Sequence, residues 1–332
     1  MKSNRFPLRL QEFLGEYLPV DKNYSASTIS SYSCAFLLFY RFMEEHYGKK
    51  PNMIRFEDVN VEVITKYLQW LEVERGSSVL TRNQRLAAIK SFYKYAIRKE
   101  PDLSATCTAI MSIENKKGSP KIISYFTEKE IKLIIDYVHK NMDEKYLVII
   151  AVLYETAVRV SELINIQVSD VCLREKPNII IRNGKGGKAR MVPISSELSI
   201  ILKKYLTTER SNQKYLFMTK FGHPYSRHGI YDFVNRLVDK LKEQYPEMFK
   251  GDYHPHSFRH SKATHLYNNG TPLLSIKSFL GHSSITATEI YATPDSTVIR
   301  KQIEAGSKKI EVKPKHSKKE QNDILNWLKK HC

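Results

Sequence analysis

Residues 253–291 carry side chains that could break a phosphodiester bond. His256 and Arg259 lie one helical turn apart in the run Pro-His-Ser-Phe-Arg-His, His282 follows in Leu-Gly-His, and Tyr291 comes shortly afterwards. Arginine contacts two phosphate oxygens at once and keeps its charge, histidine can move a proton, and a phenol can act as a nucleophile. We therefore interpret this stretch as part of a site that cleaves a phosphodiester through a covalent tyrosine link.

Further cations lie upstream. Arg159 follows a buried helical pattern in Thr-Ala-Val-Arg-Val-Ser-Glu-Leu, and Glu162 comes one turn later, so a structural salt bridge is an alternative role for this arginine. Lys185 lies in the turn Gly-Lys-Gly-Gly-Lys, where glycine lets the backbone approach a ligand and the lysine could protonate a leaving oxygen. Beyond it, Lys188 and Arg190 are predicted to contact the DNA backbone.

The histidines also invite comparison with a metal site. His256 and His260 have the spacing of the zinc-protease motif HExxH, but Ser257 stands where that motif needs a glutamate, and Arg259 would place a cation beside the metal. The four cysteines form no CxxC pair. We therefore expect neither a metal nor a cofactor. The alternative, a metal hydrolase, predicts that chelators abolish activity.

The composition indicates a polyanionic partner. The chain has 332 residues, with 53 Lys and Arg against 35 Asp and Glu, a formal net charge of +18. Such an excess favours nucleic acid. No apolar run reaches the roughly 20 residues that a bilayer span needs, and the N-terminus lacks the apolar core of a signal peptide. With the scattered cysteines, these features predict a cytoplasmic, nucleoid-associated protein that does not bind membranes.

The elements that must position these residues form two predicted domains. Residues 1–115 read as all-helical, with apolar residues at helical spacing in several segments. In the last of these helices, Arg82, Arg85 and Lys90 lie opposite the apolar side. This basic face could lie along a DNA groove, or it could simply be solvated.

The second half is predicted to be mixed. Residues 116–122 read as a linker, and 123–306 as a domain rich in helices with strands at 178–182 and 190–194. The predicted fold class is therefore mainly α with a small antiparallel sheet (α+β). Residues 307–332 read as a basic linker and a short C-terminal helix that could dock on a neighbouring molecule or on its own body.

At this point the ordered motifs resemble those of the tyrosine recombinase (phage integrase) family. The resemblance covers about residues 126–303, and the first half resembles the family's core-binding domain only in general character. Ala157 stands where many members carry glycine. The filled catalytic positions are Arg159, Lys185, His256, Arg259, His282 and Tyr291.

The resemblance implies a mechanism and a role for each residue. The reaction proceeds through a 3′-phosphotyrosine and a free 5′ hydroxyl, and a partner's 5′ hydroxyl then rejoins the strands without metal or ATP. The implied roles are nucleophile for Tyr291, transition-state stabilisation for Arg159 and Arg259 with His282, proton transfer for His256, and general acid for Lys185.

The resemblance also implies partners. Family members act on double-stranded DNA as tetramers on two duplexes, each subunit forming a C-shaped clamp and often passing a C-terminal segment to its neighbour. We predict a site-specific recombinase, the integrase or transposase of a mobile genetic element. A chromosome-dimer-resolving housekeeping recombinase and a catalytically silent DNA-binding protein are the alternatives.

Overall fold

The computed structural model of the chain contains two compact units. Their boundary separates Met1–Lys121 from Ile122–Cys332 and falls within the predicted linker at 116–122. The structure describes residues 4–118, 124–182, 189–207, 213–282 and Thr288.

The described part of the first unit is built from helices, as its apolar periodicity predicts. A π-helical segment, Phe13–Asp21, continues the first α-helix. Short 3₁₀ turns lie at Pro51–Met53, Phe56–Asp58 and Pro101–Leu103. The α-helices are α1 (Arg5–Glu12), α2 (Ala26–Tyr47), α3 (Val61–Val73), α4 (Val79–Ala96) and α5 (Ser104–Met111).

Aromatic rings fill the core of the first unit. Phe92 of α4 lies at its centre, with the rings of Phe6, Phe13 and Phe36 at centroid distances of 5.2, 5.5 and 5.3 Å in edge-on arrangements. Such pairs add specific geometry to the burial of large apolar surfaces. The core therefore fixes α4 against α1 and α2, and the polar side of α4 is left facing outward.

The described part of the second unit combines helices with an antiparallel sheet, as the sequence predicts. A 3₁₀ turn lies at Val168–Asp170. The α-helices are α6 (Glu128–Asn141), α7 (Glu144–Thr156), α8 (Val160–Leu163), α9 (Ser196–Thr207), α10 (Arg227–Gln244), α11 (Pro255–Asn268) and α12 (Leu273–Leu280). The strands are β1 (Val171–Cys172), β2 (Asn178–Ile181) and β3 (Arg190–Pro193), in the order β1-β2-β3.

The sheet differs from the sequence prediction by one strand. β2 and β3 correspond to the two predicted strands and pair antiparallel, with Ile181 opposite Arg190. β1 adds a third strand, in which Val171 pairs with Ile179. Two residues are too few to show the alternating pattern by which a strand is identified in a sequence, so β1 depends on its partner.

Helix α7 is the centre of the second unit. It is apolar on nearly all sides, with Val148, Ile149, Ile150 and Val152 fully buried, and it packs against α6, α9 and α11. A helix that is apolar all round belongs inside a domain. Its C-terminal end and the neighbouring α11 therefore hold fixed positions. Across the described ranges, none of the helices combines the length and apolar character that a membrane crossing requires.

Candidate active site

Arg159 lies at the turn between α7 and α8. Its backbone N–H and its Nη1 both donate to the carboxylate of Glu162, at 2.9 Å each. The Glu162 side chain is 2 % exposed and that of Arg159 is 27 % exposed, so the carboxylate lies behind the guanidinium and holds it at the protein surface. The salt bridge considered from the sequence is present, and it leaves the arginine accessible to a ligand.

Arg259 is fully buried on α11. Its Nη1 donates to the carbonyl oxygen of Ala157 and its Nη2 to that of Leu280, each at 2.7 Å. Both carbonyls lie where a helix ends in left-handed backbone, at Ala157 (φ 50°) after α7 and next to Gly281 (φ 66°) after α12. Arg259 thus joins the α7–α8 turn to the end of α12.

Two histidines lie beside these arginines. Desolvation, then the charge of Arg259 and more weakly that of Arg159, lowers the pKa of His256 to about 4. The same causes, in the order desolvation, Arg259 and Arg159, lower the pKa of His282 to about 4. The Nδ1 of His282 also lies 2.9 Å from the hydroxyl of Thr288. Both imidazoles are therefore neutral at pH 7, and the charges of Arg259 and Arg159 act on both.

Arg190 shares the carboxylate of Glu162 with Arg159. Its Nη1 and Nη2 donate to the two Glu162 oxygens at 3.1 and 2.8 Å, and its Nε donates to the carbonyl of Phe279 at 3.2 Å. Burial acts to raise the pKa of Glu162, but the hydrogen bonds from Arg190 and Arg159 outweigh it, so the pKa is lowered. The ionised carboxylate therefore joins β3 to the α7–α8 turn.

Comparisons with known proteins identify the family of the chain. Residues 124–297 match the model of the phage integrase family, and residues 10–100 match that of the phage integrase N-terminal SAM-like domain. The chain belongs to the phage integrase family. It is an enzyme of the tyrosine recombinase type, as its motifs predict.

Individual relatives cover most of the chain. A tyrosine recombinase XerC from Bacillus pumilus (strain SAFR-032) is 30 % identical over 88 % of this chain and 94 % of the relative. A tyrosine recombinase XerA from Pyrococcus horikoshii is 33 % identical over 77 % of this chain and 88 % of the relative. A Tn1549 transposon integrase, solved with circular intermediate DNA, has a similar fold at a TM-score of 0.69 and 18 % identity, covering 89 % of this chain and 98 % of that one.

Of the catalytic residues predicted for this tyrosine recombinase, the structure describes four and brings them together. These four are Arg159, His256, Arg259 and His282. Lys185, Lys188 and Tyr291 lie outside the described residues, as does the predicted C-terminal segment 307–332.

The structure adds Glu162 to the site and shows contacts of Arg190 that differ from the predicted ones. The sequence indicates Glu162 only as a salt-bridge partner, and its position three residues after Arg159 is the available signal. The predicted partner of Arg190 is DNA, yet its side chain is only 12 % exposed and its guanidinium binds Glu162 and Phe279. The sequence gives no sign that a basic residue beside a glycine-rich turn binds partners far away in the chain.

The second histidine of the HExxH-like spacing lies in the protein interior. His260 is buried, and its ring centroid lies 6.1 Å from that of Tyr125. Within the described residues, no group of three or more His, Cys, Asp or Glu side chains could hold a metal ion.

The three basic residues predicted on the outer face of α4 differ in their surroundings. The Nη1 of Arg82 donates to the carbonyl of Glu114 at 3.3 Å, and the Nη1 of Arg85 donates to that of Ser31 at 3.0 Å, and both side chains belong to half-buried residues. The ammonium of Lys90 instead binds the carbonyls of Met111, at 2.9 Å, and Ile113. Lys90 therefore caps the C-terminal end of α5.

Proposed function

We propose that this tyrosine recombinase cleaves and rejoins DNA strands at specific sites through a covalent 3′-phosphotyrosine at Tyr291. The observation that carries this proposal is that Arg259, one turn after His256 on α11, binds the carbonyls of Ala157 and Leu280, which lie two residues before Arg159 and His282. Guanidinium and imidazole groups stabilise the charge that develops on phosphate oxygens during transfer.

The reaction balances without an external energy source. The phenolic oxygen of Tyr291 forms a bond to phosphorus, the bond from phosphorus to the 5′ oxygen breaks, and Lys185 protonates that leaving oxygen. His256, neutral at pH 7, takes part in moving the phenolic proton. A 5′ hydroxyl from the partner strand then attacks the phosphotyrosine and releases the enzyme, so the energy of the phosphodiester is conserved.

The proposed DNA contacts outside the site come from both halves of the chain. We assign Arg82 and Arg85 on α4, together with Lys188, to the DNA backbone. Lys90 and Arg190 are given internal roles, since the helix-capping and Glu162 contacts already occupy their charged groups. In the proposed assembly, four copies act on two duplexes, and segment 307–332 passes between neighbouring subunits.

Two biological roles fit this chemistry. We favour the integrase or transposase of a mobile element, because the basic segment 307–332 lies beyond the family match, which ends at residue 297. The similarity to XerC, 30 % identical over 88 % of the chain, favours the alternative of a housekeeping recombinase that resolves chromosome dimers.

Trapping of the covalent intermediate tests the chemistry. The target duplex is first selected from a randomised pool with the full-length protein. The selected duplex is then nicked near its centre, so that cleavage releases a short fragment and the covalent complex accumulates. We expect a DNA-linked protein band on a denaturing gel in the presence of EDTA.

Two variants make this experiment decisive. Tyr291→Phe should bind the duplex and give no covalent band, whereas Tyr245→Phe, which alters an exposed tyrosine of the second unit, should give the parental amount. A covalent band from Tyr291→Phe excludes this nucleophile. Binding without a band from the parent supports the silent DNA-binding protein, and cleavage that leaves no covalent band and is abolished by EDTA supports the metal hydrolase.

The biological role is tested on host DNA. For a mobile element, we expect the selected sequence at both ends of a segment containing the gene, and a circular junction of that segment detectable by amplification. For a housekeeping recombinase, the selected sequence should occur once in the chromosome, and deletion of the gene should leave unresolved chromosome dimers.

A further inference from the structure

Arg190 contacts three separate parts of the second unit that carry catalytic residues. Its Nη1 and Nη2 bind the carboxylate of Glu162, which also binds Arg159. The second oxygen of this carboxylate also accepts the backbone N–H of Arg159. The position of the Arg159 guanidinium therefore depends on a carboxylate that Arg190 also holds.

The second contact is with the end of α12. The Nε of Arg190 donates to the carbonyl of Phe279 at 3.2 Å, and the next carbonyl, that of Leu280, accepts from Arg259 at 2.7 Å. Two arginines from distant segments thus bind consecutive carbonyls of one helix end. A shift of Arg190 would move the acceptor that fixes Arg259.

The third contact is steric and involves Gly281. A Cβ atom at this position would lie 3.1 Å from both Cδ and Nη1 of Arg190, which is closer than ordinary van der Waals contact. Gly281 also has φ 66°, a conformation that favours glycine. The side chain of Arg190 therefore packs directly against the turn that leads into His282.

We propose that Arg190 is a positioning residue for DNA cleavage, which sets Arg159, Arg259 and His282 relative to one another through Glu162, Phe279 and Gly281. The proposal rests on the proposed cleavage reaction. Arg190 begins β3 and is 12 % exposed, so it acts from behind the site. A fork of several donors suits this role, since one lysine nitrogen cannot reproduce its geometry.

Arg182 provides a matched control. It follows β2, whose last residue Ile181 pairs with Arg190, and it also binds a buried carboxylate, that of Asp170, which is 1 % exposed. Removal of either arginine therefore breaks an ion pair with a buried acid. Only Arg190 has described contacts with the segments that hold the catalytic residues.

The test measures rate and affinity separately. Single-turnover formation of the covalent band is followed on the nicked selected duplex at saturating protein, and the dissociation constant is measured by gel shift. Arg190→Met should slow the reaction by about 100-fold, the size of effect expected from a displacement near 1 Å in a catalytic site, while affinity changes little. Arg190→Lys should fall between Arg190→Met and the parent, and Arg182→Met should stay close to the parent rate.

Three results would overturn the proposal. These are an unchanged rate in Arg190→Met, an equal rate loss in Arg182→Met, and a loss of affinity as large as the loss of rate, which would make Arg190 a DNA contact. A double variant that carries both Arg190→Met and Glu162→Gln supplies a further check on the cleavage rate. The two effects should be far from additive because they act on one contact.

A measurement without catalysis separates this proposal from the proposed function. The pKa of His282 is followed by NMR on protein with labelled histidine, with the signal assigned through His282→Gln. Arg190→Met should raise that pKa, because a neighbouring positive charge is removed, and Arg182→Met should leave it unchanged. If the parent forms no covalent band, DNA cleavage is wrong, whereas an unshifted His282 pKa contradicts the proposed action of Arg190 on His282.

Discussion

Glu162 determines how Arg159 is presented. An ionised carboxylate that is 2 % exposed would be costly without partners, and here it is held by two guanidinium groups and a backbone N–H. One oxygen binds the Nη1 of Arg159, so the planar group is fixed in orientation while part of it stays exposed. At the residue scale, the site therefore depends on the fork geometry of arginine and on more than its charge.

Replacement of Arg159 by lysine tests this dependence. Arg159→Lys keeps the positive charge but cannot contact two phosphate oxygens in one plane. We expect covalent-band formation to slow by roughly 100-fold, the loss seen when one oxyanion donor is removed, with a change in DNA affinity below about tenfold. The measurement is the single-turnover rate beside the gel-shift dissociation constant. Equal losses in both would assign Arg159 to binding alone.

The ends of α7 and α12 turn individual residues into a site. Ala157 lies in left-handed backbone at φ 50°, is fully buried, and offers its carbonyl to Arg259. A residue with a Cβ atom is strained in this conformation, and a β-branched one much more so. At the element scale, the shape of this turn is a condition for the position of Arg259.

Substitutions at Ala157 test that condition. Ala157→Val should lower the free energy of unfolding by about 1–3 kcal/mol, because a branched side chain is forced into left-handed backbone. Ala157→Gly should stay within about 1 kcal/mol of the parent, since relief of strain is offset by greater freedom of the unfolded chain. Urea unfolding measures both. A fully stable Ala157→Val would contradict the strain argument.

The outer face of α4 gives a second prediction at this scale. Arg82→Ala and Arg85→Ala should each reduce the slope of log affinity against log salt concentration by about 1, because each phosphate contact releases counterions. Lys90→Met, on the same helix, should leave the slope unchanged and lower the free energy of unfolding by about 1–2 kcal/mol through loss of the α5 cap. A reduced slope in Lys90→Met would restore its predicted DNA contact.

At the scale of the whole molecule, the positive net charge favours DNA binding but opposes the folded state at low pH. The chain carries a net charge of +18, and several of its histidines lie in surroundings that oppose a further positive charge. Desolvation, followed by neighbouring positive charge, lowers the pKa of His256, His260 and His282 from the ordinary 6.5 to about 4. These groups are neutral in the folded protein at pH values where the unfolded chain protonates them.

Stability should therefore fall as the pH is lowered from about 6.5 towards 4. In this window the unfolded state binds more protons than the folded state, so the free energy of unfolding rises with pH. Urea unfolding followed by circular dichroism between pH 7.5 and 4 measures the trend. The triple variant His256→Gln, His260→Gln and His282→Gln should show a flatter profile, and an identical profile would contradict this origin.

The sequence by itself determined the residue types, their order and most elements around them. Local patterns gave the helical first unit, the buried α7 and the strands β2 and β3, because apolar periodicity reflects which side of an element is buried. The Pro-His-Ser-Phe-Arg-His and Leu-Gly-His motifs placed His256, Arg259 and His282 among the catalytic candidates. All three lie within residues 124–297, which match the phage integrase family.

Only the tertiary structure decided which positively charged side chains bind partners inside the protein. Arg190 and Glu162 are 28 residues apart, and Lys90 and Met111 are 21 apart, so neither contact leaves a periodic signal in the sequence. A basic residue on a predicted surface looks the same whether it faces DNA or a buried carboxylate. The difference arises when packing brings distant segments together, since a buried charge must then find a partner within the fold.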